Sequence, residues 1–377
     1  MRPVPPLRWP TLVFLVAAGS YVSLTAILSL TAYLWVPDRS THAAYQHTSL
    51  TRLPPGTAVD QLILVPDSLN HYLDLTSLLG GIRTEKLLPL NQGSLVIFAN
   101  DTVSVVPRNA LLLHLSLKGL LLHNSLAPPE PGQLDNHTFG QLKHAFTSQR
   151  LRKDRFWLGT DALGRDVLSR LVVGSRVSLA VGLLGTAISL VVGLTIGLLA
   201  AFFGGWIDRL LNALMTLVWS LPAVLLTVAL SFALGKGFAT LALAIGLALW
   251  VDLARVVRGQ VLSLRQREYI QAGQVLGYEP NRLLIRHVVP QLVPSLVIVS
   301  CSNFSTALLL EAGLSFLGLG VEAPMPSWGG MIQEGYTQLV VAGARGLAIA
   351  PAVVLILQLL SVNFLLLRLK HLNPKAG

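Results

Sequence analysis

The sequence predicts an all-α polytopic membrane protein of about six transmembrane helices, with a small β-containing insertion in its first loop. Three observations carry this expectation. Apolar residues make up 53% of the 377-residue chain and charged residues only 12%, against about 25% charged in soluble domains. Apolar runs long enough to cross a bilayer, about 20 residues, recur along the chain. One long polar stretch near the N-terminus interrupts them. The net charge of +10 fits the gathering of Lys and Arg on the cytoplasmic side of membrane proteins. No basic stripe with interleaved aromatics points to nucleic acid. The single cysteine, Cys301, lies in an apolar run. It can close no intramolecular disulfide and reads as a small packing residue.

The first apolar run covers residues 11–36, preceded by Arg2 and Arg8. Those charges hold the N-terminus in the cytoplasm. The run exceeds the roughly 7–15 apolar residues of a cleaved signal peptide, so it reads as an anchor. A polar stretch follows, and residues 37–155 are expected outside the membrane as an insertion. Further runs cover residues 177–203, 210–234, 238–257, 293–314 and 339–367, which places a membrane core at 156–367 and a cytoplasmic tail at 368–377. Near the end of the fourth run, Asp252 and Arg255 stand three apart on one helical face, suited to pairing or to the interface. Charge supports this topology. Arg255, Arg258, Arg265, Arg267, Arg282 and Arg286 fall in the connection assigned to the cytoplasm, and Arg368, Lys370 and Lys375 in the tail. The external connection 318–338 has no Lys or Arg, and the one near Gly235 has only Lys236.

Within the first loop, residues 61–65, 94–98 and 102–106 read as short strands, with Asn100 and Asp101 at a hairpin turn. A small β domain over residues 40–125 follows from this. The Pro-rich residues 127–131 read as a linker, and Asn136-His137-Thr138 is formally a glycosylation triplet. Gly193 and Gly197 make a GxxxG step that reads as helix packing. Pro222 and Pro351 lie inside apolar runs, where kinks are tolerated.

Two stretches carry function. Residues 265–290, RQREYIQAGQVLGYEPNRLLIRHVVP, read as two short helices with a break. Gly277 suits the end of the first and Pro280 the first turn of the second. Ile270, Val275 and Leu276 alternate with polar residues, so one face can pack while another meets a partner. Residues 158–179, LGTDALGRDVLSRLVVGSRVSL, read as an amphipathic interfacial helix leading into the second span. Thr160 or Asp161 can cap it. Asp166 and Arg170, four apart, can pair.

The first stretch resembles the cytoplasmic coupling motif of ABC importer permeases, in which a Glu-Ala-Ala triplet, a glycine and a closing Leu-Pro recur at fixed spacing. Gln271-Ala272-Gly273 stands at the triplet, Gly277 at the glycine and Val289-Pro290 at the close. Gln271 and Gly273 depart from the pattern, as does His287 in a hydrophobic slot. Arg286-His287 before the final proline is itself a trait of the peptide branch. The second stretch resembles the Gly159-Thr160-Asp161…Gly164-Arg165-Asp166 signature of the C-type permease subunit of dipeptide, oligopeptide and nickel importers. Gly204-Gly205 with Asp208, Ser220-Leu221-Pro222, the run from Glu311 to Gly320 and Pro326-Ser327-Trp328-Gly329 match in the same order. The resemblance covers the first span and nearly everything from Phe156 onward, and leaves residues 40–125 unassigned.

The resemblance implies a permease in a bacterial inner membrane with both termini cytoplasmic. It implies a heterodimer with a second permease, two cytoplasmic ATPase subunits, and an external or periplasmic substrate-binding protein. The cargo would be di- or oligopeptides, or within the same class nickel, glutathione or a peptide antibiotic. Contact with the ATPase is expected at Gln271, Ala272, Gly273, Gly277, Tyr278, Glu279, Arg282, Arg286, His287 and Pro290. Arg282 and Arg286 suit acidic groups on the ATPase or anionic membrane lipid equally. The chain itself need do no chemistry and carry no cofactor, with ATP and Mg²⁺ on the partner subunits. No GxxxxGK[ST] phosphate loop occurs in the sequence. A stand-alone channel would not need residues 265–290. An intramembrane enzyme would need catalytic polar groups at bilayer depth, and Ser189 and Ser231 have no His or Lys in a recognisable motif with them.

Overall fold

A computed structural model of the protein describes residues 9–38, 40–47, 50–65, 86–90, 95–99, 102–106, 113–116, 151–276, 278–338 and 346–372. The chain divides into two compact units. One comprises Met1–Leu30, Val173–Thr337 and Ala348–Gly377, the other Thr31–Val172 and Gln338–Leu347.

The first unit is helical. Helix α1 spans Trp9–Leu30, and the short α2, Ala32–Trp35, belongs to the second unit. The last carbonyls of α1 are unsatisfied by the helix itself and sit at its negative end. Arg176 fills that need, with Nη2 donating to the carbonyl of Leu30 at 2.6 Å and Nε to that of Ser29. Tyr21 Oη donates to the Val354 carbonyl at 3.2 Å, and Thr25 Oγ1 donates to Gln358 Oε1 at 3.0 Å. These bonds fix α1 against the final helix, α11, Gly346–Leu372.

Helix α3, Val167–Phe203, is continuous over 37 residues, so the expected interfacial helix and second span are one rod. The expected third span is instead two helices, α4 (Gly205–Trp219) and α5 (Ala223–Leu234), bent by 93°. Pro222 explains the break. It has no N–H to donate into α4, and its ring pushes Leu221 away from helical geometry. Pro222 itself sits at φ −57°, ψ 127° as the N-cap of α5.

Helix α6, Phe238–Arg265, runs past the expected end at 257 and is the buried centre of the unit. It packs against α4, α5 and α9, Val289–Phe316. Gly193 and Gly197 meet it closely. A Cβ on either would lie 2.6 Å from the carbonyl oxygen of Trp250 or Ala254 respectively. The GxxxG step is therefore a packing device within the chain. Polar bonds continue the contact along α6. Asp252 accepts from Trp219 Nε1 at 3.1 Å, and the Arg255 guanidinium lies 4.4 Å over the same indole. Arg258 grips Asp208 through two bonds of 2.6 and 2.7 Å. Arg265 donates to the Ala201 carbonyl at 2.7 Å. Asp252 and Arg255 thus both engage α4.

Helix α9 leads through a loop to α10, Trp328–Tyr336. Ser327 caps α10 by accepting from Gly330 N at 3.1 Å. Trp328 is wholly buried and its amide donates to Ser178 Oγ at 3.1 Å. The buried Glu311 accepts from Ser315 Oγ at 2.8 Å. Among the described residues, four helical stretches are long and apolar enough to cross a membrane: Val167–Phe203, Phe238–Arg265, Leu284–Phe316 and Gly346–Leu369. The bent pair counts as a fifth when read as one broken span, and the apolar Leu15–Leu30 of α1 is shorter. Among the described residues, the expectation of about six spans corresponds to these four helices, the bent pair and the shorter first helix. Residues 339–345, where the last run was expected to begin, lie outside the described residues.

The second unit holds two antiparallel sheets among the described residues. One has the order β2-β1-β6, from Lys86–Leu90, Thr57–Val65 and Leu151–Phe156. The other has the order β3-β4-β5, from Leu95–Ala99, Thr102–Val106 and Leu113–Ser116. The three expected strands correspond to β1, β3 and β4, with β3 at Leu95–Ala99 against the expected 94–98. Ala99 pairs with Thr102, which leaves residues 100 and 101 as the connection. The folded part of the loop does not stop near residue 125. β6 pairs with β1 from Thr57↔Phe156 to Leu62↔Leu151, so the chain returns to close the sheet just before the membrane core. The expected linker at 127–131 and the triplet at 136–138 lie outside the described residues.

Candidate functional site

After α6 ends at Arg265 the chain turns and forms α7, Glu268–Val275. It then forms α8, Pro280–Leu283, a single π-helical stretch Leu284–Val288, and α9. The two short helices with a break are as the spacing predicts, and Pro280 opens the second. Gly277 lies outside the described residues. Ile270 and Leu283 are buried. Ile270 joins Val257, Val261, Val288 and Leu292 in one apolar cluster. Gly273 is buried as well. A Cβ there would come within 2.9 Å of Leu283 Cδ2 and 3.3 Å of Tyr278 Cδ2. The glycine that departs from the family's alanine is where α8 closes on α7, and its carbonyl accepts from Tyr278 N at 3.0 Å.

The outer face is apolar. Val275 is 87% exposed, Leu276 73% and Ile285 69%. Gln271, Ala272, Tyr278, Glu279, Arg282, Arg286, His287 and Pro290 are exposed too, with the Arg282 guanidinium 5.6 Å over the Tyr278 ring. Gln291 braces the base, donating to Tyr269 Oη at 2.6 Å and to the His287 carbonyl at 2.8 Å. Of the residues chosen from sequence, Gly273 serves the interior and the other described ones face outward. Val275, Leu276 and Ile285 were missed as surface groups. Helical geometry contained part of the signal. At about 100° per residue, positions five and six beyond Ile270 lie about 140° and 240° round the helix from it, so Val275 and Leu276 cannot share its buried face.

The residues 159–166 form a separate structure within the second unit, buried except at Ala162 and Leu163. Gly159 and Gly164 have φ of +77° and +76°, open to glycine but costly for other residues. A Cβ on either would collide with the carbonyl oxygen of Leu53 or His47 respectively. Thr160 Oγ1 donates to the Leu50 carbonyl and accepts from Leu53 N at 2.8 Å. Arg52 N donates to the Asp161 carbonyl at 3.0 Å and His47 N to the Leu163 carbonyl at 3.2 Å. Asp161 is the hub. Its Oδ2 accepts from Arg165 Nε at 2.6 Å and Arg170 Nη1 at 2.5 Å. Its Oδ1 accepts from the amides of Leu163 and Arg165 at 2.8 and 3.0 Å.

Three local expectations change here. Asp166, not Thr160 or Asp161, caps α3, its Oδ2 accepting from Ser169 N at 2.9 Å and from the Ser169 hydroxyl. Arg170 reaches Asp161, which lies inside the loop, rather than only its own helix. The polar residues Arg165, Ser169 and Arg170 are buried, so this is a clasp on His47, Leu50, Arg52 and Leu53 and not an interfacial helix with a wet polar face. Burial pushes the Asp166 carboxyl up to about 6, with the Ser169 bonds opposing and the charge of Asp38 adding to the rise.

Comparisons with known proteins bear on the α7–α9 bracket. The family described as "Binding-protein-dependent transport system inner membrane component" matches residues 193–373, which include the α7–α9 bracket. The glutathione transport system permease protein GsiD of Pectobacterium atrosepticum is 36% identical over 209 residues, 55% of this chain and 69% of that protein. The oligopeptide transport system permease protein OppC of Bacillus subtilis is 39% identical over 183 residues, 48% of this chain and 60% of that protein. A structure of the MetNI methionine ABC transporter in an inward-facing conformation covers 52% of this chain and 93% of its own. It is 20% identical with a TM-score of 0.44.

Proposed function

The chain belongs to the family of binding-protein-dependent transport system inner membrane components, and on that premise we propose that it forms half of the pathway of an ATP-driven importer of di- or oligopeptides. A second permease completes the pathway, and two ATPase subunits dock at residues 265–290. A binding protein delivers cargo from the other side. ATP and Mg²⁺ bind the ATPase subunits. The membrane is a bacterial inner membrane, with both termini in the cytoplasm, where the Arg-rich connection also lies.

One observation carries this reading: the bracket is anchored on one face and apolar on the other. Ile270 and Leu283 are buried while Val275, Leu276 and Ile285 stand exposed among Arg282, Arg286 and Glu279. An exposed apolar cluster rimmed by charge suits a protein partner. Because Ile270 shares a packed cluster with Val257, Val261 and Leu292, a displacement of the bracket is passed to α6 and α9. Close-packed interiors transmit such shifts instead of absorbing them. The relative GsiD is named for glutathione, which favours glutathione as the second reading for cargo.

A photo-crosslinking side chain at position 276 tests the reading. In membranes of cells making the whole transporter, it should trap an ATPase subunit, whereas the same probe at the exposed Leu183 should not. Absence of any ATPase adduct from position 276 would refute the docking assignment.

A further inference from the structure

We propose that Asp252 and Arg255, gathered on the Trp219 indole, form a cargo subsite inside the membrane that takes the ammonium and carboxylate ends of a short peptide. The inference rests on the proposed import function and says where in this chain the cargo is held. Helix α6 is long and apolar enough to cross a membrane. Asp252 stands midway along its 28 residues, about 20 Å of helix from each end, at the depth of a hydrocarbon core about 30 Å thick. It is exposed, and Arg255 is half-buried. Charged groups at that depth belong against a watery cavity or a partner group rather than lipid. Among the described residues neither one has an ion pair. Asp252 accepts only from Trp219 Nε1, at 3.1 Å. Arg255 lies 4.4 Å over the same ring and donates to Thr216 Oγ1 at 3.3 Å. Arg258, about one turn further along, is by contrast neutralised by Asp208.

The surroundings favour the cavity. At about 100° per residue, Asp208, Asn212, Thr216 and Trp219 share one side of α4. Trp206, Leu210, Leu214 and Leu217 share the other, where their exposure suits lipid. Against the polar side, α6 presents Asp252, Arg255 and Gly259 within about 60° of one another. Gly259 is exposed, with open space where a side chain would stand. The two helices thus edge a polar lane. It closes beyond Asp252, where Ile245, Ala248 and Leu249 continue the same face of α6 and are buried. Ala223 and Val228 of α5 pack against the cluster that holds Ile245 and Leu249. The two unpaired charges therefore stand at the closed end of the lane.

A peptide with free ends carries one ammonium and one carboxylate. The Arg255 fork matches a carboxylate, and Asp252 can accept from an ammonium. The indole between them offers a flat surface that tolerates different side chains. A site on a pathway must also release what it holds, and an incompletely buried pair binds loosely enough to do so.

Thiol labelling of the whole transporter in lipid nanodiscs tests this, with Cys301→Ser as background. A water-soluble maleimide should modify Thr216→Cys, beside the pair, and leave Leu214→Cys, on the lipid side, unmodified. Trialanine at about 10 mM should slow the Thr216→Cys reaction about tenfold, the occupancy expected of a site with a dissociation constant of about 1 mM. N-acetyl-trialanine amide, with both ends blocked, should not slow it. Arg255→Gln and Asp252→Asn should each leave the thiol reactive but unprotected. An unreactive thiol at 216, which would mean that the second permease or lipid covers the lane, would overturn the subsite. So would labelling without protection, equal protection by the blocked peptide, or protection that survives both substitutions. The labelling needs neither ATP nor the binding protein, and co-purification of ATPase subunits decides the import function separately.

Discussion

Asp161 illustrates what a single residue decides. It binds two guanidiniums and two amides in a buried site. Breaking a buried ion pair outright costs about 3–5 kcal/mol, and losing Arg170 costs part of that, because Arg165 and two amides still hold Asp161. Arg170→Ala should therefore lower the thermal stability of the purified chain sharply, whereas Val275→Asp, on the exposed face, should stay within about 0.5 kcal/mol. Equal losses from the two would contradict the burial described. The motif itself was legible in the sequence, and so was the pairing potential of Arg170. Its partner was not, because helical spacing points to Asp166 four residues back. Only the turn at Gly159 and Gly164 brings Asp161 into reach. Gly273 is a parallel case. Its departure from the family's alanine is the point of contact with Leu283.

Elements show a similar division. Apolar runs located the helices, because a span must satisfy its own backbone. The 93° bend between α4 and α5 was foreshadowed only as a kink at Pro222. β6 was invisible, since LRKDRF shows no apolar alternation and becomes a strand by pairing with β1. β2 contains Pro89, which sequence reading demotes, and it lies accordingly at a sheet edge. The contact of α3 with α6 at Gly193 and Gly197 gives a prediction at this scale. Gly197→Leu would press on the Ala254 carbonyl and the Val257 side chain. Overpacking of this kind costs about 1–3 kcal/mol, and the lower melting temperature should appear without partners present. Gly313→Leu is the control, because open space surrounds that position, and it should melt like the wild type.

At the scale of the whole molecule, the chain is a membrane permease, and the proposed function has its moving part driven from another chain. The outward apolar face of α7 and the π-helical stretch is then a docking surface, rooted through Ile270 and Leu283 in the packing of α6 and α9. Sequence spacing identified this segment but gave no sense of which side was anchored, since that depends on the helix–helix contact at Gly273. The most direct test is purification of the chain in mild detergent from cells that make its partners, with mass spectrometry of what stays bound, for the wild type and for Leu276→Asp. The account predicts a second permease and ATPase subunits with the wild type, and loss of the ATPase subunits alone from the variant. A wild-type chain that purifies alone, or a variant that keeps its ATPase subunits in full, would contradict it.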